Sequence, residues 1–136
     1  MRINPTVILS VLLLLAAVPA SAAPKVQKEC PAGLGPEEKE DLLRKAPSCD
    51  AAMELFEACA YGASGDTGLS VAAIENCESG FLSRLSRTQR RLYDAEMKRC
   101  NAKARGGREG TMYISAAAFC RAIVAQKFAR RYARRK

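Results

Sequence analysis

The chain has 136 residues, enough for one domain and no more. It carries 22 Lys and Arg against 14 Asp and Glu, a net charge of +8, and has no histidine. The commonest general base and metal ligand is therefore missing, and six cysteines without a close C-x-x-C pair do not read as a zinc site.

The opening segment "MRINPTVILSVLLLLAAVPASAAP" places Arg2 before an apolar run from Val7 to Val18, followed by small residues. That order is the pattern of a secretory signal peptide over residues 1–22, with cleavage expected after Ala22 of Ala20-Ser21-Ala22. The run is shorter than the ~20 residues a membrane span needs. Residues 23–36, rich in Pro and Gly, read as an extended lead-in, and residues 37–136 as the folded domain.

The domain reads as a series of helices. "GPEEKEDLLRKAP" has Pro36 in a first-turn position, acids at its start and Arg44-Lys45 at its end, which suits a helix dipole over 37–46. "SCDAAMELFEACAYG" predicts a second helix over 48–61, capped by Ser48, with Cys49, Ala52, Met53, Phe56, Cys59 and Ala60 on one face and Gly62 as its stop. "GASGDTG", residues 62–68, follows. A phosphate-binding loop needs a Lys and a Ser or Thr opening the next helix, after a strand. Here a helix precedes and no Lys follows, so the stretch reads as a turn, with Asp66 as a candidate recognition tip.

A third helix over 70–85, capped by Ser70, places Val71, Ile74, Cys77, Phe81, Leu82 and Leu85 together, with Gly80 weakening but not ending it. A capping box, Ser86-x-x-Gln89, opens a fourth, which places Gln89, Leu92, Tyr93, Met97 and Cys100 on one face and which the Gly106-Gly107 pair and Gly110 end. The last helix, 113–133, carries an apolar stripe of Ala116, Phe119, Cys120, Ile123, Val124 and Phe128, with Lys127 among them. No strand pattern or internal repeat is present. The expected fold is all-α, an irregular bundle of four to five helices stapled by disulfides.

An even cysteine count in a small exported domain implies three disulfides, from Cys30, Cys49, Cys59, Cys77, Cys100 and Cys120. Cys49 and Cys59 lie ten residues apart on one helix, about 15 Å, too far to pair. Placing turns at residues 62–68 and near Arg108 predicts 59–77 and 100–120, which leaves 30–49.

Charge divides along the chain. Residues 24–85 hold six Lys/Arg and eleven Asp/Glu, and residues 86–136 hold fifteen Lys/Arg and three acids. Such a bipolar chain favours anionic partners at its basic end. The ending "KFARRYARRK" gathers Lys127, Arg130, Arg131, Arg134, Arg135 and Lys136, a candidate site for anionic envelope polymers or a membrane surface; nucleic acid is the least expected partner of an exported chain. The carboxylates of Glu54, Glu57, Glu75 and Glu78 recur at helical spacing and read as solvated surface rather than a catalytic pair. No catalytic, metal or cofactor site is expected.

Residues 49–133 resemble the LprI-type family of small, exported, cysteine-containing helical proteins, whose members are often lysozyme inhibitors. The resemblance rests on "LSRTQRRLYDAEMKRC", in which Leu85, Gln89 and Cys100 fall at the family spacing. The Gly-rich turn "GGREGTMY", Cys120 and the upstream "CDAAMELFEAC" follow in order. Leu92 stands where the family usually has Trp, and Glu96 where it usually has Arg. The resemblance implies a periplasmic or secreted, non-enzymatic binding protein of the bacterial envelope. Common lysozymes are basic, so an inhibitor would approach with its acidic half. Asp66, Glu75 and Glu78 are the residues expected to make that contact.

Overall fold

The structure is a computed structural model that describes residues 29–105 and 110–133, with backbone alone for 103–105. The expected signal peptide, most of the lead-in, the centre of the Gly-rich turn and Arg134, Arg135 and Lys136 lie outside the described residues. The all-α expectation holds. The elements are α1 (Pro36–Arg44), α2 (Cys49–Cys59), α3 (Asp66–Ser79), a 3-10 turn (Leu82–Arg84), α4 (Arg87–Arg105) and α5 (Thr111–Tyr132).

Local chemistry sets most of the boundaries. Pro36 opens α1, and the Glu38 carboxylate accepts from the Gly35 N–H at 2.7 Å. The Ser48 hydroxyl accepts from the Ala51 N–H and starts α2. The Ser86–Gln89 box is present in both directions, at 2.8 and 3.2 Å, and starts α4. Gly62 takes φ +70, a left-handed conformation that glycine adopts without cost, and the chain reverses there after α2.

The third helix departs from the sequence reading. It starts four residues earlier, at Asp66, and stops at Gly80, which is its C-cap. Ser70 is not a cap. It lies inside α3, fully buried, and its hydroxyl donates to the Ala118 carbonyl at 2.8 Å. α3 is the central helix and packs against α1, α2 and α5. Leu69, Ala72, Ala73, Ile74 and Cys77 are all buried, so apolar residues surround its axis instead of forming one stripe. Val71, expected in the core, is 36% exposed.

α5 runs parallel to α3, because Asp66 meets Ser115 and Ser70 meets Ala118. The face of α5 that meets the core combines Val124 and Phe128 with the small residues Ser115, Ala118, Ala122, Ala125 and Ala129, all buried. These small residues recur at three and four, which lets two helix backbones approach closely. The sequence stripe is therefore shifted in part: Val124 and Phe128 are buried as expected, but Ile123 is 52% exposed while Ala122 is fully buried. At the far end of the bundle the bulky residues gather. Phe81, Tyr93, Phe128 and Tyr132 form a chain of ring contacts, with Phe128 at 4.9 Å from Tyr93 and 5.6 Å from Tyr132.

Three disulfides close the fold: Cys30–Cys59, Cys49–Cys77 and Cys100–Cys120. The last agrees with the expectation. The other two exchange partners, and the reason is depth. α2 ends at Cys59 and α3 begins at Asp66, so the residue level with Cys77 is the one at the start of α2, Cys49. Cys59 stays beside the turn, and the lead-in crosses to it through Cys30. Three disulfides are the chemistry of an oxidising compartment, extracellular or periplasmic.

Candidate functional site

The expected recognition tip is not one. Asp66 is fully buried. Its carboxylate folds back over the turn and accepts from the backbone N–H groups of Tyr61 at 2.7 Å, Gly62 at 3.0 Å and Ala63 at 3.3 Å. It also accepts from the Ser115 hydroxyl, which ties the loop to α5. As the first residue of α3 it further suits the positive end of that helix. The turn is thus residues 60–65, organised from inside by Asp66, while Asp66, Thr67 and Gly68 of GASGDTG already belong to α3.

Glu75 and Glu78 also have structural partners. Glu75 accepts from Arg44 Nε at 2.7 Å, and Glu40 from Arg44 Nη2 at 3.2 Å, so one guanidinium joins α1 to α3. The Glu75 hydrogen bond first, and the Glu40 bond second, raise the pKa of Arg44 above its ordinary value. Glu78 points the other way and accepts from the Tyr93 hydroxyl at 2.7 Å. Burial, reinforced by that hydrogen bond, pushes the Tyr93 phenol well above its usual range. The two carboxylates serve different helices and do not form a pair.

The basic ending is partly neutralised. Lys127 pairs with Glu96 of α4 at 3.1 Å. Arg130 pairs with Asp50 of α2 at 2.8 Å, and Gln126 donates to the same carboxylate. Arg131 lies over the Tyr132 ring. Of the three tail cations among the described residues, Lys127 and Arg130 thus hold α5 to α4 and α2.

What remains open is a strip of α5 in which the sequence reading buries Ala116, Phe119 and Ile123. Met112, Ala116 and Ile123 are exposed, and with Phe119 they share one helix face. Phe119 stacks on Phe56 of α2 with centroids 4.4 Å apart, which sets α2 along one edge of the strip. Asp50 reaches Gln126 and Arg130 on the same edge. Glu54 and Glu57 follow Asp50 at four and seven residues along α2, on the same side of that helix. Both are exposed and make no hydrogen bond or ion pair among the described residues. An apolar strip bordered by two unpaired carboxylates is suited to a surface that presents apolar groups beside cations.

A second exposed feature lies on α4. Arg87, Arg91, Lys98 and Arg99 are exposed and unpaired among the described residues. The sequence displays them in "SRTQRRLYDAEMKRC", but the denser run at the tail masks them. Among the described residues no group of Cys, Asp or Glu is placed to hold a metal ion, and no helix is long and apolar enough to cross a membrane.

Comparison with protein-family models, with curated proteins and with solved structures yields no match to this chain.

Proposed function

We propose that the protein is an exported, non-enzymatic binding protein that engages a basic protein partner through the α2–α5 face. The observation that supports this most is the pair of unpaired carboxylates, Glu54 and Glu57, beside the exposed Met112, Ala116 and Ile123. Exposed apolar side chains supply contact area, and the acids select a cationic surface and speed its encounter. The resemblance to LprI-type proteins supplies the partner class, a lysozyme. Basic enzymes of that kind carry the complementary charge. Three disulfides support an oxidising compartment, and the leader over residues 1–22 supports export into it.

Inhibition of lysozyme by the oxidised chain, measured with the Glu54→Lys/Glu57→Lys and Ile123→Asp variants at two salt concentrations, tests the reading. The charge reversal is expected to slow association and weaken binding tenfold or more, about 1.4 kcal/mol, with most of the loss at low salt. Ile123→Asp places a charge in the apolar strip and is expected to abolish measurable binding. Equal inhibition by wild type and both variants would refute the assigned face. No inhibition by the wild-type chain would refute lysozyme as the partner.

A further inference from the structure

We propose that the outer face of α4 docks on an anionic phospholipid surface. The helix packs chiefly against α5, and not against the acid-bearing α1 and α2. Its outward side is therefore unoccupied by the rest of the described fold. Arg87, Arg91 and Lys98 recur along one edge of that side, and Leu92, Ala95 and Arg99 along the adjacent one. From Arg87 to Lys98 the row is about 16 Å long. Arg84, exposed in the preceding turn, extends it. The acid within the row, Asp94, lies 3.5 Å from Arg90 and cancels that cation alone. The remaining cations have no partner among the described residues.

An apolar side chain borders this basic face. Leu92 is 45% exposed and lies along the edge that carries Ala95 and Arg99. Cations beside an exposed leucine on a surface helix are the composition that lies in a membrane interface, with guanidinium groups on lipid phosphates and the apolar side chain at the acyl boundary. A soluble polyanion gains from the cations but not from Leu92. The bipolar charge also orients the molecule. An anionic plane attracts the α4 cations and repels the acids of α1 and α2, which selects the orientation in which α4 faces the plane.

The test uses the full oxidised chain and sedimentation with phosphatidylcholine vesicles, with and without phosphatidylglycerol. Wild type is expected to be retained on the anionic vesicles only, with retention falling steeply as salt rises. Each basic residue near an anionic surface is worth about fivefold in affinity, so Arg87→Gln/Arg91→Gln/Lys98→Gln is expected to lose roughly a hundredfold. These are solvated positions, and circular dichroism checks that the fold is kept. Leu92→Ala is expected to weaken vesicle retention several-fold and leave binding to inorganic polyphosphate unchanged. Failure of the wild type to sediment with anionic vesicles at low salt would overturn the proposal, as would equal retention of wild type and the triple variant. Loss of polyphosphate binding in the triple variant, with no effect of Leu92→Ala on vesicles, would overturn lipid as the occupant and assign the face to soluble polyanions.

Discussion

Replacing Asp66 by Ala tests the account of the turn between α2 and α3. The substitution removes the acceptor for the N–H groups of Tyr61, Gly62 and Ala63 and for the Ser115 hydroxyl. Tyr61 and Gly62 are exposed, so water recovers part of what their donors lose, whereas Ser115 is only 5% exposed and is left unsatisfied. A hydrogen bond to a charged acceptor is worth about 1.5–3 kcal/mol, and a stranded buried donor costs about 1–3 kcal/mol. With hydration of the two outer donors the total is about 3–5 kcal/mol, a large fraction of the stability of a small domain. Urea unfolding followed by circular dichroism reads it directly, and the melting temperature should fall by roughly 15 °C. Asp66→Asn keeps the shape and one carbonyl oxygen, so its cost should be about half as large. Ser115→Ala should cost about 1–2 kcal/mol, and the double variant should cost less than the sum of the two. If Asp66→Ala unfolds within about 1 kcal/mol of wild type with an unchanged urea slope, the carboxylate does not organise the turn and the reasoning fails.

Two further outcomes follow from the packing. Non-reducing peptide mapping should recover Cys30 joined to Cys59 and Cys49 joined to Cys77; replacing both Cys30 and Cys59 by Ala releases a loop of sequence separation 29 and should cost about 3–4 kcal/mol by the chain-entropy estimate, and a Cys30–Cys49 peptide would contradict the fold. Tyr93 is buried with its pKa raised in the folded state, so above pH 10, its ordinary value, the unfolded chain releases a proton that the folded chain keeps; stability should fall by about 1.4 kcal/mol per pH unit more steeply in wild type than in Tyr93→Phe, and parallel pH profiles would disprove the assignment.

The sequence by itself determined the fold class and most helix starts. Those are local matters: Ser48 and the Ser86–Gln89 box cap with their own side chains, and Pro36 fixes its own φ. Tertiary packing decided the rest. The buried face of α5 was hidden because alanine scores weakly in any hydrophobic pattern. Its value here lies in letting α5 approach α3, and that requires knowing which helix is the neighbour. The disulfide partners depended on where α3 begins and on how α2 lies against it, and Asp66, at that start, is held both by the backbone of the turn and by a serine 49 residues away. The same dependence governs the sites. Lys127 and Arg130 read as free cations in sequence, and only the assembled bundle brings Glu96 and Asp50 to them. Glu54 and Glu57 read as solvated surface. They became candidates because the fold buried Asp66 and gave Glu75 and Glu78 other partners, an outcome set by contacts between residues far apart in the chain.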